Sequence, residues 1–588
     1  MRKILSGNEA IARGAFEAGC EVAAAYPGTP STEILESITQ YPEVKAEWSI
    51  NEKVALELAS GASYAGARSL AAMKHVGLNV AADPLFTLSY TGVQGGLVVV
   101  TADDPNLYSS QNEQDNRHYA RAAKLPMLEP SDSEEARRFT ALAFGLSEQY
   151  DCPVLLRSTT RISHGEGLVE LEDRKPGPVT KKAVKDPAKY VMLPGYARPR
   201  HPLVEERMKK LKEFAENFPE NKIEPGDPQI GIVASGVAYQ YAREAFPHAG
   251  FLKLGMVWPL PEKLIRKFAQ SVEKLYVVEE LDPFLEENIR AMGLNPVGKE
   301  AFPITGELSP ELVRTGVLGP SAAKKIEFDK TIPDRPPNLC AGCPHRGVFY
   351  ALKKLRAFVC GDIGCYTLAA QPPLKALHTC LCMGAGIGQS FGMEKALGPG
   401  EKVVAVIGDS TFFHSGITPL IDIIYNQGKS TVIILDNLTT AMTGRQGHPG
   451  SGVSIYGRPA ARISLEKLGE ALGIRTVVID PFEVAQVEKV LKEEMEDGVP
   501  SLVIARAPCV LIPEFKKMKK PAFAVSEDQC TGCKICLQLA CPAISWVDKP
   551  DKEKKRKGYA QIDELSCTGC GICSQVCGDA AILREEKN

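Results

Sequence analysis

Val403-Val404-Ala405-Val406-Ile407-Gly408-Asp409-Ser410, followed by Thr431-Val432-Ile433-Ile434-Leu435-Asp436-Asn437, decides how this chain folds. Each stretch is an unbroken apolar run that ends in polar residues, the pattern of a strand covered on both faces of a parallel sheet. A helix-like stretch lies between them, so the unit reads strand, helix, strand. Parallel strands set their carboxyl ends side by side, which lets Asp409 and Asn437 meet at the crevice where such sheets bind ligands. A carboxylate and an amide oxygen are hard ligands suited to Mg²⁺, and Thr439 offers a backbone carbonyl two residues further on. Upstream, Gly384-Ala385-Gly386-Ile387-Gly388 is a glycine-rich turn into a helix, whose N-terminus favours phosphate. The plainer alternative for Asp409 is an ordinary helix cap.

Working outward, the same alternation recurs. Residues 1–175 mix helical periodicity with short apolar strands such as GGLVVVTA (95–102) and CPVLLRS (152–158). A Lys/Pro-rich linker and an amphipathic helix near 203–218 fill 176–228. A middle α/β domain over 229–330 contains IGIVASG (230–236) and KLYVVEEL (274–281). The prolines of PDRPPN (333–338) mark a boundary before the α/β domain at 338–512. FKKMKKPA then leads into a last domain at 520–588.

Composition bounds the function. The chain has 588 residues, 44% hydrophobic and 24% charged, which is ordinary for a water-soluble globular protein of several domains. A net charge of −3 gives no electrostatic case for nucleic acid or an anionic membrane. The first residues lack the apolar core of a signal peptide, and no uncharged apolar run reaches membrane-spanning length, so a cytoplasmic protein is expected. Seventeen cysteines in a reducing compartment then need a reason other than disulfides. Cys20, Cys152 and Cys360 read as small buried hydrophobes.

The tail does not. Cys530, Cys533, Cys536 and Cys541 read C-x2-C-x2-C-x4-C-P, and Cys567, Cys570, Cys573 and Cys577 read C-x2-C-x2-C-x3-C. Three closely spaced thiolates wrap one cube while the fourth ligates the other. One [4Fe–4S] cluster is thus assigned to Cys530, Cys533, Cys536 and Cys577, and a second to Cys541, Cys567, Cys570 and Cys573. Gly532, Gly569 and Gly571 suit the tight turns. The pattern resembles the bacterial two-cluster ferredoxin, with an extra residue before Cys541 and Gly578 where a second proline often stands. Zinc is the alternative metal, disfavoured by the interleaved order of eight cysteines. The insert DKPDKEKKRKG (548–558) reads as a solvated loop.

GD followed by N some thirty residues later resembles the signature of thiamine diphosphate enzymes, here with Ser410 where glycine is usual. Such enzymes need a second α/β domain with a glutamate for the aminopyrimidine ring. The first block offers Glu52 in EWSINEKVALELASG, after a strand-like segment and at the start of a helix. A charge that merely caps the helix is the alternative. Tyr26-Pro27-Gly28-Thr29-Pro30 follows the strand EVAAAY, so substrate contacts are expected around Thr29.

Taken in order, YPGTPSTE, INEKVALE, MKHVGLN, LCAGCPHRG, GDIGCYTL, GDS, LDN and the paired-cluster tail resemble the large subunits of the indolepyruvate:ferredoxin oxidoreductase family. The resemblance implies an α/β multidomain chain. Two thiamine-binding-type parallel-sheet domains flank a third α/β domain like the transketolase C-terminal one, and a two-cluster ferredoxin-like α+β domain closes the chain. It further implies thiamine-dependent oxidative decarboxylation of an aryl 2-oxoacid, with coenzyme A as acyl acceptor and ferredoxin as electron acceptor. A small β subunit and a dimer of heterodimers are implied as well. Another 2-oxoacid, pyruvate or branched-chain, remains open, as does a non-catalytic electron-transfer subunit. Related enzymes hold a further [4Fe–4S] cluster near thiamine, and LCAGC, DIGC and APCV match its ligand order at Cys340, Cys343, Cys365 and Cys509. Against that third cluster stand the competing thiols of Cys380 and Cys382, and a cluster-free turn is the alternative.

Overall fold

The computed structural model describes residues 1–175, 177, 181–320, 335–398, 401–517 and 520–584. Parts of the expected linker, of PDRPPN and of FKKMKKPA lie outside the described residues. The chain forms two compact units, Met1–Phe328 and Asp329–Asn588.

In the first unit, the strands Lys45–Trp48, Val22–Ala25, Ser69–Lys74, Leu97–Asp103, Val154–Thr159 and Met127–Leu128 lie side by side in parallel. Met256–Trp258 from the middle segment adds an antiparallel edge strand to this sheet. A smaller sheet holds Leu275–Val278, Asp227–Ala234 and Ala249–Lys253 in parallel, with Lys222–Glu224 antiparallel at one edge. One core joins the two sheets: Leu56, Met73, Val99 and Leu155 are buried with Val233, Leu252, Phe268 and Phe284. The helix expected near 203–218 starts earlier, at Pro194, and carries Pro199 and Pro202 inside it. Tertiary anchors outweigh the prolines, since Arg200 donates to the Tyr90 carbonyl and Arg207 to that of Ser89, both at 2.7 Å.

In the second unit the strands run Thr379–Cys380, Phe358–Gly361, Val403–Gly408, Thr431–Asp436, Ser501–Arg506, Arg475–Ile479, all parallel. Val404 and Val406 face one core with Ile433, Leu435 and Val503, while Ala405 and Ile407 face the other with Val432, Ile434 and Ile504. Period two splits each run between two covered faces, which is why the sequence shows no polar alternation. Neighbouring strand order reverses between Phe358–Gly361 and Val403–Gly408, making a switch-point crevice at their carboxyl ends.

The tail pairs Phe523–Val525 with Ile582–Arg584 and Ile544–Asp551 with Arg556–Ile562, both antiparallel. Its core includes Phe523, Leu539, Ala543, Ile562, Ile572 and Ile582. The 548–558 insert is not a free loop but the end of a β-hairpin. Arg556 is buried within it and donates to the Cys530 carbonyl at 2.6 Å, while Tyr559 and Gly558 pair with Val547 and Asp548. Among the described residues, no helix is long and apolar enough to cross a membrane.

Candidate functional site

At the carboxyl rim of the second unit's sheet, Asp409, Asn437 and Thr439 are all buried. Asp409 accepts from the backbone N–H of Ser410 at 2.9 Å and of Leu438 at 2.8 Å, so its carboxylate bridges the ends of two adjacent strands. The Asn437 side-chain oxygen accepts from the Thr439 N–H at 3.2 Å. Its amide nitrogen lies 3.3 Å from Nε2 of His345, which leaves the oxygen and nitrogen ends of the amide on different neighbours. Gly384 caps the helix Ala385–Leu397 with φ of 83°, and its N–H donates to Asp362 at 3.0 Å. Gly386 is buried in that helix's first turn, against the strand Phe358–Gly361. Gly408 closes its strand against the ring of Tyr366, and Ser410 accepts a hydrogen bond from Thr440 at 2.8 Å.

The electrostatics of this rim favour a cation. Asp409, Asp436 and Asp362 are buried there. Arg506 pairs with Asp436 at 2.6 Å, whereas Asp409 has only His448, 3.1 Å away, as an ion-pair partner among the described residues. His448 Nε2 is buried and lacks the alignment of a hydrogen bond with that carboxylate. Burial, then the neighbouring Asp409 charge, raises Asp436, and burial pushes Asp362 up to about 7. A divalent ion with oxygen ligands would relieve that crowding, so the donor set fits Mg²⁺.

Cys340, Cys343, Cys365 and Cys509 come together beside this rim. Cys509 donates its N–H to the Asn437 carbonyl at 3.0 Å, and Cys343 donates to that of Cys340 at 3.1 Å. Burial, then the nearby Cys365 and Cys340, pushes the Cys343 thiol up to about 12. Burial, then Cys509 and Cys340, pushes Cys365 up to about 11. Mutually crowded thiols of this kind resist ionisation until a cation gathers them, which fits an iron–sulfur ligand set. Cys380 and Cys382 stay exposed near Asp362 and are not among these neighbours.

Two cavities in the tail have cysteine walls. Cys530, Cys533, Cys536 and Cys577 line one, together with Lys534 and Trp546. Cys541, Cys567, Cys570 and Cys573 line the other, together with Ala341, Gly342 and Arg346 from the loop that carries Cys340 and Cys343. Burial, then neighbouring cysteines, pushes Cys536 up to about 11 and Cys573 up to about 12. Gly532, Gly569 and Gly571 turn with φ of 73°, 71° and 85°. Gly342 has φ of 71°, and a Cβ there would stand 2.1 Å from Thr568 Oγ1, so only glycine lets the two cysteine loops approach this closely. Arg346 fastens them: Nη2 donates to the carbonyls of Leu339 and Cys340, each at 2.9 Å, and Nη1 donates to that of Leu539.

Glu52 lies on the rim of the first unit's large sheet. It begins the helix Glu52–Tyr64, after Asn51 caps Val54 N–H at 2.9 Å, and it is buried. Gly77 packs on its side chain, where a Cβ would stand 2.7 Å from the carboxylate oxygen. Thr29 is half-buried in the Tyr26–Pro30 loop, and its carbonyl accepts from Ser109 Oγ at 3.3 Å. Sequence alone does not single out His345, Arg346, Asp362 or His448. The quoted motif LCAGCPHRG contains the first two, but a fold-dependent contact with Asn437 or Leu539 leaves no mark on spacing.

A metal-suited diphosphate-type rim with cysteine-lined cavities in the same unit defines an iron–sulfur thiamine diphosphate oxidoreductase. Family models agree along the chain. Residues 13–220 match the thiamine-diphosphate-binding part of pyruvate flavodoxin/ferredoxin oxidoreductase, residues 362–505 the C-terminal TPP-binding domain of thiamine pyrophosphate enzymes, and residues 513–581 a 4Fe-4S dicluster domain. The indolepyruvate oxidoreductase subunit IorA of Archaeoglobus fulgidus is 43% identical over 92% of this chain and 92% of its own. Its namesake from Pyrococcus abyssi is 43% identical over 94% and 93%, and that from Methanothermobacter thermautotrophicus 42% over 92% of each. The chain belongs to the IorA family of indolepyruvate oxidoreductase subunits.

Proposed function

We propose that this chain is the catalytic subunit that oxidatively decarboxylates indolepyruvate and related aryl 2-oxoacids. Coenzyme A takes the acyl group, and ferredoxin takes the electrons. A smaller β subunit completes the enzyme, as a dimer of heterodimers in the cytoplasm. Bound thiamine diphosphate would supply the electron sink for loss of CO₂, and the [4Fe–4S] clusters would accept the electrons singly.

The protein's own residues divide the remaining work. Asp409, Asn437 and the Thr439 carbonyl would hold Mg²⁺, and the Gly384–Gly388 turn would receive the diphosphate. Glu52 would hydrogen-bond the aminopyrimidine ring, from a buried place where water competes poorly. Cys530, Cys533, Cys536 and Cys577 would hold one cluster, and Cys541, Cys567, Cys570 and Cys573 a second. Cys340, Cys343, Cys365 and Cys509 would hold a third, next to the Asn437 end of the metal motif. The observation that carries this reading is the 3.0 Å hydrogen bond from Cys509 N–H to the Asn437 carbonyl, which ties the cysteine group to the metal motif.

Turnover of indolepyruvate, phenylpyruvate and pyruvate, measured on the enzyme copurified with its partner subunit, tests the assignment. Indolepyruvate should give the highest kcat/KM. A marked preference for pyruvate would overturn the aryl assignment, and a protein without thiamine diphosphate would overturn the catalytic one.

A further inference from the structure

Among the described residues of the first rim, Lys74 is a cation that no function assigned so far uses. Lys74 ends the strand Ser69–Lys74, half-buried, with its Nζ donating to the Ser109 carbonyl at 2.9 Å. An ammonium has three N–H donors, and among the described residues Lys74 makes no other hydrogen bond and no ion pair. The Tyr26–Pro30 loop lies along its stem, since a Cβ at Gly28 would stand 3.2 Å from the lysine Cγ and Cδ. Ser109 links lysine and loop, because its Oγ donates to the Thr29 carbonyl.

The charges around Lys74 do not explain it. Asp104 is near enough to support the ammonium but is already satisfied by Ser109 N–H at 2.8 Å, Ser110 Oγ at 2.6 Å and Thr160 Oγ1 at 2.6 Å. Glu52 is the other nearby acid. Burial, against the pull of these two carboxylates, lowers Lys74 to about 8, so the ammonium is still the main form at neutral pH.

We infer that Lys74 binds the carboxylate of the 2-oxoacid substrate, in the corner formed by the Tyr26–Pro30 loop and the Glu52 helix. The inference rests on the 2-oxoacid reading above. An ammonium suits this task better than a guanidinium clamp. The substrate carboxylate leaves as neutral CO₂, and a bidentate grip would stabilise the ground state against its loss. A single point charge with reduced basicity orients the anion and releases it.

The test uses the enzyme with its partner subunit. Lys74→Met should raise KM for indolepyruvate about 30-fold, the loss expected for one charge-assisted hydrogen bond, with kcat changing far less. Thiamine diphosphate and iron content should stay at wild-type levels, and Lys74→Arg should recover most of the affinity. In the wild-type enzyme, the unreactive anion indolelactate should protect Lys74 from acylation, read by mass spectrometry, while its neutral amide should not. An unchanged KM in Lys74→Met, or equal labelling with and without indolelactate, overturns the assignment. The labelling result decides even where Lys74→Met fails to fold. Failure of the wild-type enzyme to release CO₂ from any 2-oxoacid would instead overturn the reading on which this one rests.

Discussion

The rims of the two large sheets obey one construction rule and end with opposite chemistry. Both gather polar residues at the carboxyl ends of parallel strands. The first is crowded with paired charges: Arg157 meets Asp103 at 2.7 Å, and Arg117 meets Glu279 at 2.6 Å. Lys74 lies near Glu52 and near Asp104, the residue after Asp103. The second holds the buried Asp362, Asp409 and Asp436, with Arg506 on Asp436 and His448 beside Asp409. A rim whose charges are already paired suits protons and anions, whereas one that crowds carboxylates suits a metal. On the proposed function, proton work falls to the first sheet and cofactor retention to the second.

That division can be broken by experiment. Glu52→Gln keeps the shape and removes the charge, so turnover should fall by about 100- to 10,000-fold, the usual worth of a positioned acid or base. Thiamine diphosphate, measured by chromatography of the denatured protein, should remain bound; its loss would erase the distinction between rims. Asp409→Ala and Asn437→Ala should act the other way. Each should weaken Mg²⁺-dependent cofactor binding by about 10- to 100-fold, as loss of a metal ligand or its support does. Unchanged cofactor affinity in both would leave Asp409 as a helix cap.

Iron analysis sharpens the same contrast. Three clusters predict about twelve irons per chain, and Cys340→Ser with Cys509→Ser should leave about eight, by the four-iron count of each centre. A fully loaded wild-type protein with about eight irons would remove the cluster from the second rim. The smallest effect is expected from Gly77→Ala. Its methyl group would press on the Glu52 carboxylate and lower kcat several-fold without changing cofactor or iron content.

Sequence made the second rim more legible than the first. Apolar runs ending in Asp409 and Asn437 announce strands and ligands together, and eight tail cysteines announce their own grouping by spacing. Lys74 gives no such signal, because a lysine after four apolar residues looks like any strand end. The 548–558 hairpin was hidden for a related reason. Its lysines and proline mask the alternation, while the arginine that anchors it, Arg556, is indistinguishable in sequence from its exposed neighbours. The nearness of Gly342 to Thr568 is purely tertiary, since 226 residues of sequence numbering separate them.

Arg346 has a consequence for how the chain can change over time. It joins the carbonyls of Leu339, Cys340 and Leu539 from within the second unit's fold. The spacing between the Cys340 loop and the tail is therefore set by this clasp and by the fit of Gly342 against Thr568. The loop from Leu339 to Arg346 has no room to change length: one inserted residue there would pull two cysteine groups out of register.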